Sequence, residues 1–194
     1  SPWIHVVDLD AARTGEPTNR PVIAAIAEAV DVPVQTGGGI RDEAAADALL
    51  DAGVARLVLG TAALEQPELV ASLAARASIA VGLDARGREV AVRGWEEGSG
   101  RDIIEVVQGF ADVGVDAVVV TEIGRDGTLE GPDLEGLGLM LASTQIDVIA
   151  SGGVGTLADL DALRGLEVEG RTLSGAIIGR ALYEGRFTLA EALA

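Results

Sequence analysis

Short aliphatic runs recur along the chain, and nearly every one is followed by a stretch with helical spacing. The runs cover residues 4–9, 32–35, 56–59, 79–83, 117–121, 147–150 and 175–178. The helical stretches cover 21–30, 42–52, 67–76, 102–113, 134–142, 157–163 and 189–193. Within the runs apolar residues sit side by side and do not alternate with polar ones. Such strands have both faces covered, which predicts a parallel sheet wrapped by helices. Two stretches break the rhythm. Residues 13–20 form a polar loop with Gly15 and Pro17, and residues 86–100 form a longer one around Arg93-Gly94-Trp95, with room for a short hairpin.

The second half repeats the first. Gly37-Gly38-Gly39-Ile40 closes one apolar run and opens a helix; Ser151-Gly152-Gly153-Val154 does the same later. Upstream, residues 5–10 match 118–123, and downstream Leu59-Gly60-Thr61-Ala62 matches Ile178-Gly179-Arg180-Ala181. Three strand-and-loop units recurring in one order mark a duplicated half. A strand, a glycine turn and a helix start leave backbone N–H groups free at the positive end of a helix dipole, which is an anion site. Two such sites predict a small substrate with a phosphate at each end. An open doubly wound sheet and an α/β barrel both fit the alternation, and the repeat favours the barrel. Seven strands are one short of eight; about 45 residues would complete the ring. The expectation is one domain over residues 1–194 whose first βα unit is missing, with strands two to eight present.

Composition narrows the partners. The formal net charge of −17 argues against a nucleic-acid partner. No apolar run approaches the roughly 18 residues of a membrane span, and no signal peptide opens the chain, so the expected compartment is the cytoplasm. There is no Cys, and all 14 basic residues are Arg, which removes thiolate, disulfide and lysine Schiff-base chemistry from these residues.

In a barrel the reactive groups sit where strands end and βα loops begin. Asp8, Asp84 and Asp126 end or follow three different strands and would ring one mouth. Carboxylates so placed suit proton transfer beside a carbonyl or imine. With one His and no Cys they make a poor transition-metal set, so neither metal nor cofactor is expected. Each residue also has a plainer reading: Asp126-Gly127 is a common turn pair, and a strand-end Asp is often a loop cap. His5, the sole His, is either a hydrogen-bonding strand residue or a substrate contact. Trp95, in a loop of Gly, Glu and Arg beside Arg93, reads as a lid that stacks on a substrate ring. Arg41 and Arg180 follow the glycine turns and either bind anions or face solvent.

These motifs together resemble the phosphoribosyl isomerase A family, also called ProFAR isomerase, of histidine biosynthesis. The resemblance rests on residues 5–12 (HVVDLDAA), 38–41 (GGIR), 59–62 (LGTA), 82–84 (GLD), 93–95 (RGW), 125–129 (RDGTL), 150–154 (ASGGV) and 178–181 (IGRA), in family order. It implies a (βα)8 TIM barrel, and a cofactor-free Amadori rearrangement of an aminoaldose to an aminoketose. Asp126 matches the acid that opens the ribose ring, while Asp84 and Thr121 match assisting positions. Gly39, Gly60, Thr61, Gly153, Gly179 and Arg180 match the phosphate loops, with Gly38 and Gly152 beside them. Arg93 and Trp95 match a substrate-closing loop; His5, Asp8 and Gly127 fall at substrate-contacting places.

The Arg-Gly-Trp loop is similar to that of the actinobacterial branch, which also performs the phosphoribosylanthranilate isomerase step of tryptophan synthesis. That branch carries Ser before Gly-Gly-Ile and Asn before Leu-Gly, where this chain has Gly37 and Val58. The family's base is an Asp on the first strand, and this chain begins at what matches the second. A complementing N-terminal βα segment or chain is thus an expected partner. The alternative reading is a barrel fragment that serves as an assembly module. The sister cyclase of the pathway, which shares the Arg-Asp-Gly-Thr loop, is a further rival.

Overall fold

The computed structural model describes residues 2–194. Seven parallel strands form the frame: β1 (Ile4–Val7), β2 (Val34–Gly37), β3 (Arg56–Leu59), β4 (Ile79–Arg86), β7 (Ala117–Glu122), β8 (Asp147–Ser151) and β11 (Gly175–Ile177). They pair in the order β1-β2-β3-β4-β7-β8-β11, a nearly closed barrel with its one gap between β1 and β11. Two hairpins stand off this path. β5 (Glu89–Val92) and β6 (Glu97–Asp102) extend β4 antiparallel, and β9 (Glu167–Val168) pairs with β10 (Arg171–Thr172).

The helices are α1 (Leu9–Thr14), α2 (Arg20–Ala29), α3 (Glu43–Asp51), α4 (Thr61–Glu65), α5 (Pro67–Ala74), α6 (Ile103–Gln108), α7 (Leu134–Ser143), α8 (Leu157–Arg164), α9 (Arg180–Tyr183) and α10 (Leu189–Ala192). Their starts are written in the sequence. Asp42, Asp102 and Asp133 cap α3, α6 and α7, and Thr156 with Asp159 builds a capping box on α8. None is long and apolar enough to cross a membrane among the described residues.

Strand parity sorts the core into two layers. Leu57, Leu59, Ile79, Val81, Leu83, Val118, Val120 and Val148 point outward and are buried under the helices. Val58, Ala80, Ala117 and Val119 point inward, with Ile149 and Ile177 packed against them. The apolar runs are continuous because both faces are covered.

The sequence reading needs correction at several places. Helix α1 takes up Leu9, expected as the end of the first strand, and residues 13–14, expected as loop, because Asp8 caps it and Gly15 closes it at φ +82°. Residues 61–65 form the extra short helix α4. The helix expected over 102–113 keeps its α form only to Gln108. The β9–β10 hairpin was not foreseen; Arg171 ties it to the carbonyls of Leu141 and Ile146 at 2.8 Å each. The helix expected over 134–142 is present as α7, running through Gly136 and Gly138. Asp133 Oδ1 accepts from the Gly136 N–H, and Leu137, Met140 and Leu141 anchor the helix in the core.

Candidate functional site

Because the strands are parallel, every βα loop emerges at one end of the barrel. The turn after β2 (Gly38, Gly39) lies beside the turn after β3 (Gly60, Thr61), and the turn after β8 (Gly152, Gly153) beside the start of α9 (Gly179, Arg180). The backbone N–H groups of all eight residues donate to no acceptor among the described residues. Open amides at the start of a helix make ready donors for an anion. The halves agree in detail. Gly38 and Gly152 have φ +105° and +91°, and Gly39 and Gly153 have +70° and +82°. Gly60 and Gly179 precede their helices at φ −96°, ψ −104° and φ −112°, ψ −97°.

Close packing holds these turns. A Cβ on Gly38 would run into the Asp8 carbonyl, and one on Gly153 into the Gly131 carbonyl. Positive φ and backbone contact together exclude larger residues there. The Gly131 N–H also donates to the Gly153 carbonyl at 2.9 Å, strapping the loop that carries Asp126 to the second turn. A Cβ on Gly152 would lie 3.4 Å from Asp126 Oδ1, so the bare glycine leaves room for that carboxylate.

Between the two cradles lie Asp84 on β4 and Thr121 on β7, in register as strand neighbours. The Asp84 carboxyl is pushed above the usual carboxylate range. Burial is the main cause; hydrogen bonds from Trp95 and Thr121 oppose it, and the Asp126 charge adds to it. Asp126 is exposed, and its side chain has no hydrogen-bond partner among the described residues.

The β5–β6 hairpin closes over this pair. Trp95 Nε1 donates to Asp84 Oδ2 at 2.8 Å, and Arg86 Nη2 to the Trp95 carbonyl at 3.0 Å. Arg93 and Trp95 take left-handed φ values of 54° and 72°, uncommon for side-chain-bearing residues. The Arg93 N–H donates to Thr61 Oγ1 at 2.8 Å, which docks the lid tip on the first cradle. The Arg93 guanidinium pairs with Glu97 and Glu65 at 3.0 and 3.4 Å.

Not every predicted residue converges. Asp8 is buried, and its Oδ1 accepts from the Ala11 N–H and from Asn19 Nδ2 at 2.9 Å each; it caps α1. His5 is the second residue of β1, below the strand end, and Nδ1 meets Gln35 Nε2 at 3.0 Å. The Arg180 side chain reaches the Gly127 carbonyl at 2.5 Å and Glu184 at 2.6 Å, so only its backbone N–H faces the cradle. Sequence reasoning missed Asn19, which bridges Asp8 and Asp10, and also Gln35 and Arg56. The signal for the last two was available: each is a polar side chain inside or opening an apolar strand run.

The chain's sequence matches a known family and several relatives. Residues 1–188 match the histidine biosynthesis protein family. A Synechococcus elongatus protein is 52% identical over 192 residues, covering 98% of this chain and 74% of its own length. A Rhodospirillum rubrum protein is 52% identical over 194 residues, covering 99% and 80%. One from Paracoccus denitrificans is 47% identical over 193 residues, covering 98% and 79%. All three are named 1-(5-phosphoribosyl)-5-((5-phosphoribosylamino)methylideneamino)imidazole-4-carboxamide isomerase.

Proposed function

Because the chain belongs to the histidine biosynthesis protein family, on its phosphoribosyl isomerase A side, we propose that it serves the Amadori rearrangement of that bis-phosphorylated aminoaldose to the aminoketose. The observation that carries this reading is the pair of glycine cradles with open amides, at one end of the barrel, flanking Asp84 and Asp126. Each cradle holds one phosphate, and the ribosyl carbon to be rearranged lies between them. Asp126 gives its proton to the ribose ring oxygen; the ring opens as the C1–N bond becomes an iminium. Loss of the C2 proton then yields the enol, which tautomerises to the ketose. Asp84 and Thr121 position the opened sugar and hold charge beside it, and the lid excludes water.

No residue of β1–β11 is assigned as the C2 base. The resemblance puts that carboxylate on a strand ahead of β1, where it would pair in the gap between β1 and β11. Isomerase activity of residues 1–194 alone, equal to that with an added βα segment, would overturn this part. The lid is also what favours the second, anthranilate substrate.

The deciding experiment is Asp126→Asn in the complete enzyme. A general acid contributes roughly 10²–10⁴ in rate, so kcat falls by that factor while the circular dichroism spectrum stays unchanged. Turnover within about tenfold of the parent removes Asp126 as the acid.

A further inference from the structure

His5 lies outside the acid pair and cradles, yet its surroundings are specific. Strand parity puts His5, Gln35 and Arg56 on the inner face of the barrel, on three neighbouring strands. The Arg56 guanidinium lies 4.4 Å over the Trp3 ring and donates through Nε to Ser78 Oγ at 3.2 Å. Ser78 in turn hydrogen-bonds Asp116. Arg56 Nη1 then reaches Gln35 Oε1 at 3.5 Å, and Gln35 Nε2 meets His5 Nδ1 at 3.0 Å. Gln35 itself is 3% exposed.

The chemistry of these donors leaves one arrangement. Arg has no acceptor, so the Gln35 oxygen must face it and the Gln35 NH2 must face His5. An NH2 facing Nδ1 requires Nδ1 to accept, which places the imidazole proton on Nε2. Nε2 has no partner among the described residues, and no buried side-chain nitrogen or oxygen among them lacks one. Nε2 therefore opens on accessible space. Burial also lowers the His5 pKa to about 4, which opposes protonation at working pH.

We propose that Gln35, anchored by Arg56, is a positioning residue that locks His5 in its Nε2–H form, a hydrogen-bond donor facing the barrel lumen. A cation at this place would compete with the two cradles for phosphate. A neutral N–H instead suits a sugar or carboxamide oxygen. That last use rests on the isomerase reading; the locked tautomer does not.

His5 is the sole histidine of the sequence, so its ring nitrogens are unambiguous in a long-range proton–nitrogen spectrum of the 15N-labelled, substrate-free protein. The expected spectrum shows Nε2–H and a bare Nδ1, unchanged between pH 8 and about pH 5.5. Gln35→Met releases Nδ1, and both tautomers appear. Gln35→Glu places an acceptor at Nδ1, so the proton moves there and the titration midpoint rises by about one pH unit or more. The titration reads the ring against Arg56, Ser78 and Asp116, the charged and polar groups of the network around it. A wild-type spectrum with Nδ1–H, or a midpoint near 6.5, overturns the proposal even if the variants fail to fold. So does a folded Gln35→Met variant with the parental spectrum. In the complete enzyme, Gln35→Met raises KM about tenfold with kcat nearly kept, the split expected of a binding donor. Loss of that split with the tautomer intact sinks the substrate contact alone.

Discussion

In the first half of the barrel Asp8 ends β1, and its carboxylate is taken up by the Ala11 N–H and by Asn19. In the second half Asp126 follows β7 in the corresponding loop, and no described residue takes its carboxylate. The turns beside them differ little: Gly38-Gly39 and Gly152-Gly153 share their left-handed φ values, and both press on the neighbouring loop. The duplicated scaffold thus keeps its backbone geometry on both sides, while its side chains diverge: Asp8, whose repeat counterpart is Thr121, is taken up as a helix cap, and Asp126, further along the second loop, stays unpaired among the described residues. Symmetry in a backbone site survives because amides do not depend on side chains, whereas a carboxylate can be spent only once.

The strongest way to break that comparison is to remove each acid in turn. Asp126→Asn lowers kcat by roughly 10²–10⁴ at unchanged stability. Asp8→Ala keeps kcat within tenfold and costs about 1 kcal/mol in chemical denaturation, as loss of a helix N-cap does. Matching kinetic losses would make the two acids functional equals. Next come the turns. Gly39→Ala and Gly153→Ala each put a Cβ against backbone at positive φ, at a cost of about 1–3 kcal/mol, and each raises KM. A loss confined to one of them shows that the second turn is not an anion site of the same kind.

Asp84 sharpens the contrast through pH. Its folded pKa lies above its value of 3.8 in the unfolded chain, so the folded state holds the proton more tightly. The associated stability is present below pH 3.8 and is lost as pH rises through the raised value. Asp84→Asn should therefore unfold at higher temperature than the parent at pH 7 and differ little near pH 3, while turnover falls. An unchanged difference across that range means that burial does not tune this group. The smallest effect expected is that of Arg93→Ala. On the two-substrate reading proposed above, it lowers kcat/KM for an anthranilate substrate by about tenfold and for the histidine-pathway substrate by less, since one charged contact is worth roughly 1–2 kcal/mol. Equal losses mean that the lid does not select between substrates.

Much of the frame was legible in advance. The parallel strands and the paired glycine turns follow from local rules: period, turn chemistry and propensity. The strand at residues 56–59 and the lid hairpin were visible in the same way, the hairpin only as room for one. α1, α4 and the β9–β10 hairpin were not, since each depends on a partner distant in sequence or on a cap that doubles as a strand end. Asp8 and Asp126 looked alike for the same reason, both being acids at or shortly after the end of a strand.

By itself the sequence determined a duplicated α/β chain with two matching glycine turns, because glycine positions and apolar period act within a few residues. Only the tertiary structure decided which acid is spent on a cap, which carboxyl is buried beneath Trp95, and which nitrogen of His5 is held by Gln35. Those depend on what the next strand or loop brings within about 3 Å, and spacing along the chain does not record that distance.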